Sequence, residues 1–185
     1  MRYECNDLVN YFLLADIRLL KKFKDDNELP DDLATEFTRN ESGDKAVLEG
    51  VLIPMTGIEN YPYTIIFTLP PETPELLRAE NNLQHRRPGY TLRVEHGQVQ
   101  LFTWRILDDF NDKSISALLQ RYEAPNRPHI ALENGTYSVE ILAGEVFRED
   151  DYQPAFEFVL EKNDDAKPAA DFDINYLFSV DSQSY

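Results

Sequence analysis

Three histidines, one cysteine and a set of acidic clusters are the side chains from which this chain would have to build chemistry. His85, His96 and His129 stand alone, in none of the HxH, HxxxH or H-E-x-x-H spacings that aim two imidazoles at one ion. A His₂-carboxylate site would therefore have to assemble in space, and His96, followed by Gly97, is explained as well by a turn. Cys5 has acids around it and only Arg2 as a basic neighbour, which disfavours a thiolate nucleophile. Seven glycines include no G-x-S-x-G, Walker A or G-x-G-x-x-G pattern, so neither a nucleophile elbow nor a phosphate cradle has its backbone requirement. The sequence predicts no catalytic residue, no metal site and no cofactor.

Carboxylates are abundant: Asp25-Asp26, Asp31-Asp32, Asp108-Asp109 with Asp112, Glu149-Asp150-Asp151, and Asp164-Asp165. Glycosidase chemistry needs two carboxyls held roughly 5–10 Å apart in a cleft, which linear spacing does not show. An EF-hand loop beginning at Asp25 fails because Pro30 stands where the sharp turn needs glycine. Two clusters place acids beside an aromatic: Glu149, Asp150 and Asp151 with Tyr152, and Asp108 and Asp109 with Phe110. These seven residues are the candidate partner-binding set, since fixed acids steer a basic partner and aromatics supply affinity. The competing reading of the first cluster is a charged tip that keeps aromatic strands from pairing edge to edge.

The segments around these residues alternate in strand fashion. TYSVEILAGEVF (136–147) and YQPAFEFVLE (152–161) predict an antiparallel pair with Arg148 to Asp151 at its tip, and Pro154 predicts an edge or bulge in the second strand. YTLRVE and QVQLFTWRI around His96-Gly97 predict a hairpin, as do AVLEGVLIP (46–54) and YPYTIIFTL (61–69). Residues 8–24 fit one helix or a strand to Ala15 followed by a helix capped by Asp16; strand propensity and the position of Asp16 favour the second. Asp31–Phe37 predicts a helical turn, Thr73-Pro74-Glu75 starts a short helix ending near His85-Arg86-Arg87, and Asp112 caps a helix carrying Ile115, Leu118, Leu119 and Tyr122. Asp173–Val180 predicts a last strand, and residues 181–185 are expected to fray. The fold expected is β-rich, all-β or α+β: an antiparallel two-sheet sandwich built from hairpins, with two or three short helices, in one domain over 1–185.

With 185 residues, 42% apolar and 12% aromatic, the chain can bury a core without staples. Eighteen Lys and Arg against 34 Asp and Glu give a net charge of −16. That field repels nucleic acid and anionic membranes and favours a basic partner. Basic residues concentrate only at Arg18-Lys21-Lys22-Lys24 and His85-Arg86-Arg87. One cysteine and no signal-like or membrane-spanning stretch predict a cytoplasmic protein.

The small acidic chain, its YFLLADIRLL segment (11–20) and its ENGTYSVEIL strand (133–142) resemble cytosolic immunity proteins of bacterial polymorphic and type VI secreted toxins. The resemblance implies a non-enzymatic protein that binds a cognate toxin and occludes its active site; it assigns no individual residue. The alternative is a β-sandwich binding carbohydrate or another small ligand, with calcium assisting. Exposed aromatics on an edge strand would also allow a homodimer.

Overall fold

The computed structural model describes residues 2–5, 11–124, 127–167 and 173–183. Its strands are β1 (Arg2–Cys5), β2 (Tyr11–Ala15), β3 (Leu52–Thr56), β4 (Tyr63–Thr68), β5 (Asn82–Val94), β6 (Gln98–Thr103), β7 (His129–Ala131), β8 (Gly135–Arg148) and β9 (Asp151–Lys162). The helices are α1 (Ile17–Asp26), α2 (Leu33–Arg39), α3 (Ser42–Leu48) and α4 (Asp112–Tyr122), with 3₁₀ segments at Glu75–Leu77 and Trp104–Asp109. One sheet has the order β1-β4-β9-β8-β5 and the other β3-β2-β6-β7. All pairings are antiparallel except β4 with β9.

Alternation along each strand builds the layers. Phe156, Phe158 and Leu160 of β9 and Val139, Ile141 and Ala143 of β8 point into the space between the sheets, where they meet Phe12 and Leu14 of β2 and Val99 and Leu101 of β6. Leu13 and Ala15 of β2 point the other way, under the helices, with Leu20 and Phe23 of α1 and Leu118 of α4. Because β2 is covered on both faces it reads as an unbroken apolar run, and this is why helix and strand compete in its sequence. Asp16 ends the strand and caps α1 as expected, accepting from the Arg18 and Leu19 amides at 3.1 Å. The first part of the expected strand, residues 8–10, lies outside the described residues, as do Pro125 and residues 184–185.

The two-sheet antiparallel architecture is as the sequence predicts, but hairpins do not build it. Among the described residues only β8 and β9 are both joined by a tight turn and paired with each other; β2–β3 and β6–β7 pair across intervening helices. The expected 46–54/61–69 hairpin is instead helix α3, then β3 and β4 in different sheets. Ala46 and Val47 are buried in the helix-side core, and this packing overrides their strand propensity. The expected hairpin at His96-Gly97 is a crossing between sheets. Its turn amides bond elsewhere: those of Glu95 and His96 donate to Asp16 Oδ2 at 3.0 and 2.8 Å, and that of Gly97 to Asn134 Oδ1 at 2.9 Å. Gly97, at φ 72°, takes the left-handed conformation the corner requires.

After Thr73-Pro74 only a 3₁₀ turn forms, because the buried Glu157 carboxylate accepts from the amides of Glu75 and Leu76 at 2.9 and 2.8 Å. His85-Arg86-Arg87 belongs to β5, paired with β8, and does not end a helix. Asn111, not Asp112, caps α4. The described residues include four short α-helices, one more than the upper end of the two or three expected. Residues 173–183 form a strap with a single bridge, Thr56 to Leu177, in place of a strand. Its Phe178 and Val180 are buried between the sheets, and within the stretch expected to fray the amides of Asp181 and Gln183 donate to Gln84 Oε1 and Glu145 Oε1, each at 2.8 Å.

Candidate partner-binding end

Pro154 of β9 lies opposite Glu145 of β8, and β4 joins β9 only from Ala155 onward. Proline therefore occupies a stretch where β9 has a neighbour on one side alone, as its missing amide requires. On the other side β5 begins at Asn82, opposite Glu145. Beyond these points β8 and β9 continue as a two-stranded ribbon, with no third strand paired to it among the described residues, reaching about 13 Å past the end of β4 at about 3.3 Å per residue.

The ribbon closes at Glu149 and Asp150, with φ values of 50° and 66°. Positive φ at both central positions is the mirror-image turn that suits strand twist, and Asn-Gly is its cheapest occupant. Here two carboxylate residues hold it, at a backbone cost of about 1–2 kcal/mol each. Glu149, Asp150 and Asp151 are exposed. Asp151 Oδ1 accepts from the Tyr152 amide at 2.8 Å. Tyr152 lies opposite Phe147, their ring centroids 5.1 Å apart, and the Phe147 amide donates to Asn81 Oδ1 at 2.8 Å. Phe147 is 43% exposed. Alternation along GEVF marks it as a core residue; only the overhang of the ribbon uncovers it.

The second cluster divides. Asp108 and Asp109 are exposed on the Trp104–Asp109 turn, and Asp109 Oδ1 accepts from Asn111 Nδ2 at 2.7 Å. Phe110 has 0% exposure and packs in the helix-side core, its amide donating to Asp31 O at 2.7 Å. It is not available to a partner, because the turn that exposes its two acidic neighbours rotates its ring inward.

Strand register brings the remaining candidates to one end of the sandwich. Tyr63 opens β4 at the ribbon end and is reached from Thr56, the last residue of β3, by residues 57–62. Thr56 lies opposite Tyr11, and the next residue, Phe12, opposite Thr103, from which the Trp104–Asp109 turn departs. Asp108 and Asp109 thus share an end with the ribbon tip but stand on the other layer.

All three histidines have structural partners. His85 Nδ1 accepts from the Tyr176 hydroxyl at 2.8 Å while Nε2 donates to Ser179 O at 2.7 Å, tying the strap to β5. His96 Nδ1 lies 3.1 Å from Asp16 Oδ2, and His129 Nδ1 2.8 Å from Arg127 O. Among the described residues no group of three or more His, Cys, Asp or Glu side chains is arranged to hold a metal ion, and no helix is long and apolar enough to cross a membrane.

No family model and no curated protein matches the chain. Among solved structures it is similar to ComJ, inhibitor of the DNA degrading activity of NucA, from Bacillus subtilis, with 13% identity over 88% of this chain and 96% of that one at a TM-score of 0.46. It is also similar to crocagin biosynthetic gene J, with 10% identity over 88% and 97% at a TM-score of 0.48. Likenesses this distant carry no functional argument.

Proposed function

We propose that this chain is a non-enzymatic binding protein that neutralises a basic bacterial toxin in the cytoplasm by inserting its acidic ribbon tip into the toxin's active site. One observation carries the reading: a two-stranded ribbon presents three exposed carboxylates at a costly turn beside the exposed Phe147 ring, which the half-buried Tyr152 flanks. A turn kept only to end a hairpin, or only to block edge pairing, has no need of an uncovered phenylalanine. Carboxylates set the encounter rate with a basic cleft, and desolvated rings slow dissociation. The net charge of −16 extends the attraction over roughly a Debye length of 8–10 Å.

The test is growth rescue followed by binding kinetics. The product of the neighbouring gene is expressed in a susceptible bacterium with and without this chain; killing alone and survival with the chain are expected. Against that protein, Ala at Glu149, Asp150 and Asp151 should slow association at least tenfold and flatten its salt dependence. Unchanged kinetics in the triple variant would remove the tip from the interface, and a harmless neighbour, or killing in both arms, would remove that pairing.

A further inference from the structure

The ribbon end carries a second apolar surface, half-buried at two rings and open at one leucine, on the helix-side face of the four-stranded sheet. Trp104 and Tyr11 are half-buried with ring centroids 4.7 Å apart, and Ile106 packs beside the same core. Tyr11 lies opposite Thr56, and Thr56 bridges to Leu177, so the row Trp104, Tyr11, Thr56, Leu177 crosses about 14 Å at strand spacing.

Leu177 is 63% exposed, yet it is held firmly. The next residue, Phe178, is buried and donates its amide to Thr56 O at 2.8 Å, and Thr56 Oγ1 donates to Tyr176 O at 3.1 Å. Gly57, at φ +68°, leaves room for it: a Cβ there would stand 2.9 Å from the Leu177 side chain. A solvated leucine that neighbours fix on both sides has already lost the freedom that binding would otherwise cost. Asp108 and Asp109 are exposed on the turn that Trp104 opens, with Arg105 the cation within that turn, and Asp173 is exposed on the strap four residues before Leu177.

We infer that this row is a docking surface for a basic amphipathic segment of a partner protein, one that sets apolar side chains on Trp104, Tyr11 and Leu177 and lysines or arginines against Asp108, Asp109 and Asp173. It deepens the proposed function, resting on the reading that the partner is basic, and makes the interface bipartite: tip on one layer, apolar row on the other. Acids around aromatic and aliphatic anchors fit this occupant, whereas a second copy of a chain of net charge −16 would set like charge against the same acids.

Trp104 is the only tryptophan, so it reports directly. A twelve-residue Lys/Leu amphipathic peptide is titrated into the full chain while Trp emission is followed, with oligolysine of equal charge as the comparison. A saturable blue shift with the Lys/Leu peptide alone is expected, weakened at least tenfold by Leu177→Asp and unchanged by the Glu149, Asp150 and Asp151 triple Ala variant. No shift, an equal shift with oligolysine, wild-type binding by Leu177→Asp, or loss in the tip variant would each overturn the assignment. A tip variant that no longer neutralises the toxin but keeps the Trp104 response would strengthen both assignments; failure of rescue with the response intact would count against the toxin reading alone.

Discussion

Asp16 accepts five hydrogen bonds: two from the first turn of α1, two from the β5–β6 corner and one from His96 Nδ1. One buried carboxylate thus fixes both where the helix starts and where the chain changes sheet. Asp16→Ala should cost on the order of 3 kcal/mol in urea denaturation, from a lost cap and two uncovered amides. Capping was legible in the sequence; the corner was not, because its donors lie 79 and 80 residues away. The two phenylalanines next to acid clusters make the opposite point, since their local sequences look alike and their surroundings differ. Phe110→Ala should destabilise by about 3–5 kcal/mol through the cavity it leaves. Phe147→Ala should shift stability by less than about 1 kcal/mol while accelerating dissociation of the proposed basic partner. Paired denaturation and surface-binding measurements separate the two.

At the scale of elements, the β8–β9 ribbon sets local stability against presentation of charge. Replacing Glu149-Asp150 by Asn-Gly should stabilise the protein by about 1 kcal/mol, because those residues take the mirror-image turn at less cost. The same change removes two of three tip carboxylates and should slow association with the proposed basic partner. Higher thermal stability with unchanged association would mean that the acids at the turn have no role in binding. The other connections show why strand recognition did not become strand pairing. Period-two alternation marks which residues of β3, β4, β5 and β6 face the core, but the inner faces of two stacked sheets carry the same pattern. Whether a turn closes a hairpin or crosses between layers depends on which partners take its amides.

Across the whole molecule, buried tyrosines couple stability to alkaline pH. Burial pushes the Tyr90 hydroxyl up to about 12 from an ordinary value of 10.0, and burial likewise raises Tyr63 and Tyr11. The neutral phenol is the form the fold favours, so this contribution is fully present below pH about 10 and is lost as pH rises toward about 12. Denaturant midpoints should fall steadily across that window, with phenolate absorbance rising in step with unfolding. A Tyr90→Phe variant whose midpoints fall as steeply as those of the parent chain would show that this phenol does not carry the dependence. The strap adds a long-range closure: residues near the end of the chain seal the gap between β5 and β3 through His85, Thr56 and buried Phe178.

The sequence by itself determined the β-rich sandwich, the ribbon with Pro154 near its free end, the Asp16 cap and the strongly acidic character, because propensity, alternation, capping and charge act within a few residues or over the whole composition. Tertiary structure alone decided which strands share a sheet, that Phe110 turns inward while Phe147 is left uncovered, and that both acidic clusters come to one end. Those outcomes depend on contacts between segments tens of residues apart, where strand register and competition for buried hydrogen bonds outweigh local preference.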